Sequence, residues 1–265
     1  MKRIGFAIVA LMLLLLVDVT KVAAQKKIVP YPPIREADMM WKKRVWREID
    51  FRQKMNLPFY YPRESHDGDR CFIDVIMDAL AAEEIIAYEV TSTGELNKPV
   101  PYSKLKKNKL DTKKRFKTLD QYNNVIYIDT VVPFKSESVQ SLRIMEDWYF
   151  DSKRSQLLVR IRAFSPVQLV EINDTVAADE MFWIKFNDST RVVLSQAPFY
   201  NRSNSAARLS YDDVFWKRLF DSYIYKEENV YDRRISDYAT GVDALYESER
   251  IKQEIIDYEQ NLWEY

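Results

Sequence analysis

Hydrophobic and polar residues follow three different patterns along this chain. Ile4 to Val17 is an unbroken run without charge, preceded by Lys2 and Arg3 and followed by Val22-Ala23-Ala24. A basic start, an apolar middle and small residues at the cut site make up a secretory leader, here residues 1–24. Asp18 and Lys21 end the run short of the roughly 20 apolar residues that a membrane-spanning helix requires. In residues 25–34, Pro30, Pro32 and Pro33 surround Tyr31. Proline fixes φ and removes a donor, so this stretch predicts an extended arm lying over a surface. Residues 35–265 read as one domain.

Within that domain, Trp41, Val45 and Ile49 recur every four residues, which predicts a helix over 35–54 with Trp46 off its stripe. Asn56-Leu57-Pro58 breaks it. Phe72, Val75, Ile76, Ala79, Leu80 and Ile86 predict a second helix over 70–88. The middle of the chain changes period: residues 125–132, 142–150, 156–164, 181–186 and 191–195 are short, β-branched and aromatic, and predict strands. Over 158–164 the alternation sets Arg160 and Arg162 on one face and Val159, Ile161 and Ala163 on the other, so one face of the sheet is polar. Ser210 followed by Asp213 predicts a capping box that opens a helix carrying Val214, Phe215, Leu219 and Tyr223. A break at 229–234 precedes a terminal helix over 243–265, with Ile251, Ile255, Tyr258 and Leu262 as its stripe. The fold class is α+β: helices flanking a mainly antiparallel sheet, with an extended N-terminal arm and a C-terminal helix.

Composition removes several function classes. The chain carries 40 basic and 40 acidic residues; the leader holds Lys2, Arg3, Lys21 and Asp18, so the remainder has a net charge near −2 and does not read as a nucleic-acid binder. Beyond the leader the glycines are Gly68, Gly94 and Gly241, too dispersed for a loop that cradles phosphate. His66 and Cys71 are the lone histidine and the lone cysteine, which offers no His/Cys zinc site and no Cys–His pair. No catalytic, metal or cofactor site is expected. Cys71 lies far from the leader, so it supplies no lipid anchor; it either bonds a cysteine of another chain or stays buried as a free thiol. Eight cations crowd residues 104–117 against the single acid Asp111, a segment that either docks on an acidic partner or anionic lipid or is a solvated face.

Four separated motifs, in order, carry a family resemblance: Trp41-Lys-Lys-Arg-Val-Trp46 running to Asn56-Leu-Pro-Phe59, Ile144-Met-Glu-Asp-Trp-Tyr-Phe-Asp151, Phe220-Asp-Ser-Tyr-Ile-Tyr-Lys226 with Asn229-Val-Tyr-Asp-Arg233, and Ala244-Leu-Tyr-Glu-Ser-Glu-Arg-Ile-Lys252 ending in Leu262-Trp-Glu-Tyr265. The chain resembles the gliding motility GldN family, called PorN in non-gliding Bacteroidetes. The resemblance implies a non-enzymatic periplasmic subunit of the type IX secretion system at the inner face of the outer membrane. It implies a ring formed with an outer-membrane lipoprotein of the GldK/PorK kind, contact with a GldM/PorM-like motor protein, and only indirect contact with the membrane. Interfaces favour Trp, Tyr and Arg as anchors. The candidates here are the arm residues Pro30, Tyr31, Pro32 and Pro33, together with Arg44, Trp46, Trp263 and Tyr265, while Trp41 and Trp148 fit a core better. Two other readings compete. An enzyme would use Glu146 and Asp147, but neighbours on a strand point to opposite faces. A stand-alone glycan or peptidoglycan module would use Tyr149, Trp183 and Phe186.

Overall fold

A computed structural model describes residues 28–64, 68–91, 94–119, 125–172, 175–200 and 208–263. The leader, His66 and Tyr265 lie outside the described residues.

The strand-rich composition of the middle of the chain produces one long antiparallel sheet. Its elements are β1 (Met39–Asp50), β2 (Ala87–Tyr88), β3 (Pro99–Val100), β6 (Val139–Asp151), β7 (Gln156–Ile172), β8 (Thr175–Glu180), β9 (Trp183–Lys185) and β12 (Tyr223–Glu227), in the order β12-β1-β6-β7-β9-β2-β3, with β8 beside the outer half of β7. Every pairing in it is antiparallel. A hairpin of β4 (Thr112–Leu119) and β5 (Val125–Val132) stands apart from it, and a small ribbon joins β10 (Pro198–Phe199) to β11 (Leu209–Ser210). The helices are α1 (Leu57–Tyr60), α2 (Phe72–Ala81), α3 (Tyr102–Leu105), α4 (Asp188–Gln196), α5 (Tyr211–Lys217) and α6 (Val242–Trp263). The fold is therefore α+β with a mainly antiparallel sheet and a C-terminal helix.

The segment expected to be the first helix is the strand β1, a correction with a simple cause. A spacing of four is also a multiple of two, so Trp41, Val45 and Ile49 share one face of a strand as readily as one face of a helix. Val45 and Ile49 are buried on that face, while Trp46, the residue off the supposed stripe, is buried on the opposite face. Both faces of β1 are in demand because it pairs with β6 along its whole length and with β12 on its other edge. The second correction runs the other way: residues 191–195 are not a strand but lie in α4. Asn187 caps that helix by accepting a hydrogen bond from Thr190 N (3.0 Å), and Thr190, Arg191 and Leu194 are its buried residues.

Two expected helices are shorter than their patterns. After Ala81 the chain turns through Glu83 at φ 59°, leaving Ile86 exposed, and Ala87 and Tyr88 join the sheet as β2. Helix α5 opens at the expected capping box on Ser210 and Asp213, but Arg218 in the left-handed region (φ 54°) ends it, so Tyr223 begins β12.

Helices cover one face of the sheet. Ile49, Leu142, Ile144, Phe164 and Ile184 meet α2, α4 and α5 in an aromatic core, where Phe215 stacks on Phe164 (6.1 Å) and packs edge-on to Phe72 (5.6 Å). At the other end of the same face, Ile251 and Ile255 of α6 pack on Val45 and Ile224, and Tyr258 stacks on Trp41 (4.7 Å). The opposite face carries a narrow apolar strip, Trp46, Met145, Ala163 and Trp183, flanked by charged side chains and covered in part by Tyr88, Val90 and Leu96.

Candidate functional site

Three arginines determine where the arm lies. Residues Pro30, Pro32 and Pro33 have no N–H to offer, so the arm's backbone bonds chiefly through carbonyl oxygens and requires donors from the domain. Arg191 of α4 donates to the Val29 carbonyl (2.7 Å), Arg160 of β7 donates to Pro32 O, and Arg154 donates to Pro33 O (3.3 Å). Tyr31 sits between these anchors, its ring 4.9 Å from Trp216 and 5.4 Å from the Arg191 guanidinium. Burial pushes the Tyr31 phenol above its ordinary value, more than the nearby Arg191 charge lowers it. The arm candidates Tyr31, Pro32 and Pro33 are thus held against their own domain, and Pro30 is exposed between two anchors.

Arg191 is the centre of this arrangement and is 2% exposed. Its Nε and Nη2 make a bidentate pair with Asp212 Oδ1 and Oδ2 (2.8 and 3.1 Å), and Phe186 and Trp216 flank its guanidinium at 5.8 and 5.1 Å. Sequence reading did not single it out, because it stood inside a run taken for a strand. The available signal was Asn187 as a helix cap three residues before Thr190.

On the uncovered face of the sheet, β1, β6 and β7 bring cations to one carboxylate. Arg44 grips Asp147 in bidentate fashion (2.6 and 3.1 Å), and Lys42 and Arg162 each lie 3.5 Å from Asp147 Oδ2. Burial works to raise the Asp147 pKa, but the Arg44 hydrogen bond and the charges of Arg44, Lys42 and Arg162 hold it below the usual carboxylate range. Beside this group lies a cleft of about 470 Å³, walled by Tyr31 of the arm, by Gly94 to Asn97 of the loop, and by Arg160, Arg162 and Lys185 of the sheet. Gly94 stands in the left-handed region (φ 68°), and a Cβ there would meet the Trp46 ring at 3.2 Å, so glycine lets the loop close on the sheet.

The remaining sequence candidates fall elsewhere. Trp46 is buried against Lys226, whose Nζ lies 4.7 Å from its ring centre. Trp263 closes α6. Glu146 and Asp147 do point to opposite faces: Glu146 is fully buried on the helix-covered side, bound by Arg218 (2.7 and 3.2 Å) and by Trp148 Nε1 (3.1 Å). Tyr149, Trp183 and Phe186 are all buried, so their rings present no open platform for a sugar. Cys71 is in the core, where its sulfur caps α2 by accepting from Asp74 N (3.4 Å), and burial pushes its thiol up to about 12. A bond to another chain would require opening the start of α2. The basic segment runs from α3 through a π-helical stretch, Lys106–Leu110, into β4, with Lys109 paired to Asp179 (2.9 Å).

Between β12 and α6, Val230 and Tyr231 are 98% and 78% exposed among charged residues such as Asp232 and Arg233, and within α6 Leu245 and Tyr246 are exposed as well. Among the described residues, no helix is long and apolar enough to cross a membrane. A family model described as gliding motility associated protein GldN matches residues 34–264. Comparison with curated proteins finds no match.

Proposed function

This chain belongs to the GldN family of gliding motility associated proteins, and from that premise we propose that it is a structural, non-enzymatic subunit of the type IX secretion system. In this reading it works in the periplasm at the inner face of the outer membrane. It forms a ring with a GldK/PorK-like lipoprotein, which supplies the membrane anchor, and it contacts a GldM/PorM-like motor protein.

The observation that carries the reading is the extent of the match: residues 34–264 take in every strand and helix of the domain, from β1 to the end of α6. The surface supports it in kind. Exposed aromatic and aliphatic residues such as Tyr231, Leu245 and Tyr246 are the residue types that anchor contacts between proteins.

The test is to delete the gene and to purify tagged protein from cell envelopes. Loss of type IX cargo secretion, together with large annular particles containing a lipoprotein under the electron microscope, is the expected result. Normal secretion in the deletion strain, or purification of small particles free of partners, would overturn the proposal.

A further inference from the structure

The cleft beside Asp147, between the arm and the 94–97 segment, carries more cations than acids. Arg44, Arg160, Arg162 and Lys185 line it, and Lys42 and Arg35 stand next to it, while the acids at hand are Asp147, already shared by three cations, the exposed Glu36 in the neighbouring hollow, and the exposed Glu95, which accepts from Asn97 Nδ2 (3.0 Å). Among the described residues no carboxylate pairs with Arg160 or Lys185; Arg160 Nε is buried without an acceptor, its Nη2 is spent on a neutral carbonyl, and Lys185 lies over the Tyr88 ring (4.2 Å). Like charges held close together repel, and the exposed Arg162 and half-buried Lys185 at the cleft are accessible to an incoming acceptor.

The shape of the cleft and its apolar lining narrow the ligand. Tyr31, Met145 and Phe186 lie among the cations, so a bare inorganic anion would leave much of the roughly 470 Å³ unused. The cavity is recessed between the arm on one side and the 94–97 loop on the other, which keeps its floor away from a flat bilayer. Guanidinium forks match carboxylates in a plane, and concave sites that combine apolar surface with a few polar groups orient a ligand by those groups. We propose that this cleft binds an acidic peptide segment of a partner protein, with its carboxylates on Arg162 and Lys185 and an apolar side chain against Tyr31. This goes beyond the secretion-system reading, since it assigns a ligand chemistry to one defined place on the molecule.

The exported protein is titrated into a fluorescein-labelled, glutamate-rich peptide carrying one phenylalanine, with fluorescence anisotropy as the readout. The lysine counterpart of the peptide, inorganic phosphate and vesicles containing anionic phospholipid serve as comparisons. Saturable binding of the glutamate peptide is expected, weakening with salt because exposed charge pairs are screened beyond about 10 Å at 0.1 M. The double variant Arg162→Glu with Lys185→Glu should bind at least about tenfold more weakly; because Arg162 also lies 3.5 Å from Asp147, its melting temperature is measured alongside. If charge reversal lowers the melting temperature, Arg162→Ala with Lys185→Ala gives the same comparison, with a smaller loss expected. Equal affinity for the lysine peptide, undiminished binding by a well-folded double variant, or variant-sensitive binding of phosphate or vesicles without peptide binding would each overturn the proposal. Because the readout needs no assembly, its failure leaves ring formation standing, and loss of the ring leaves this result standing.

Discussion

At the scale of single residues, the molecule's most constrained position is Arg191. A buried charge is tolerable only while it is paired and hydrogen-bonded, and Arg191 is held by Asp212, by the Val29 carbonyl and by three aromatic rings. Arg191→Ala would strand the Asp212 carboxylate and release the arm, so a loss of about 3–5 kcal/mol is expected, the usual cost of removing one partner of a buried pair. Chemical denaturation measures it, and quenching of Trp216 fluorescence by a soluble quencher should rise in the same variant as Tyr31 leaves its ring. A loss below about 1 kcal/mol would show that the pair is dispensable. This residue also shows what the sequence withheld. An arginine in a β-branched run looks like a solvated strand position, and its partners Val29 and Asp212 lie 162 and 21 residues away. Cys71, by contrast, was legible as a buried position, and it lies at the head of α2.

Among the elements, those whose local signals agreed with one another were read correctly. Helix α5 has a reciprocal cap, in which Ser210 Oγ accepts from Asp213 N (3.3 Å) and the Asp213 carboxylate accepts from Ser210 N (3.0 Å). Ser210→Ala should cost about 1 kcal/mol, within the usual range of about 0.5–2 for lost N-caps, and a shift of the denaturation midpoint without a change of slope is the check; no shift would show that Asp213 alone holds the helix start. The strands β5, β6 and β7 were legible because alternation with bulky residues has no helical equivalent. The first segment failed because every-fourth spacing satisfies both periods, and only its partners in the sheet choose between them. Those partners, β6 and β12, lie roughly one hundred and more than one hundred and seventy residues further along, as in the Arg47↔Ile144 and Arg47↔Ile224 pairs. The polar sheet face was foreseen from Arg160 and Arg162, but Ala163, expected opposite them with Ile161, lies on their face beside Trp46 and Met145, because the β6–β7 register shifts between Met145 and Glu146. The convergence of Arg44 and Lys185 on the same cleft was not foreseen, because Arg44 stood in a supposed helix and Lys185 is brought near only by the short pairing of β9 with β7.

In the whole molecule, ionic stitching across strands that are remote in sequence makes stability depend on pH. Asp147 on β6 ties β1 through Lys42 and Arg44 and lies beside Arg162 of β7, so its carboxylate holds three adjacent strands in register. Its folded-state pKa is depressed relative to the ordinary carboxylate value of about 3.9. A depressed group binds its proton more readily in the unfolded chain; its contribution is therefore complete above that ordinary value and is lost as pH falls through the folded one. Asp50 is shifted in the same direction by its hydrogen bonds to Arg52, but that arginine is largely exposed, and solvent screening leaves the pair little weight. Wild-type stability should therefore fall as pH drops from about 5 toward 2, and Asp147→Asn should be the less stable protein at pH 7 while losing less over the acid range. Denaturant midpoints measured at several pH values test this through the gap between the two proteins. A gap that narrows with acid supports Asp147 as the stitch, and one that stays constant from pH 7 to pH 2 would assign the acid sensitivity to other carboxylates.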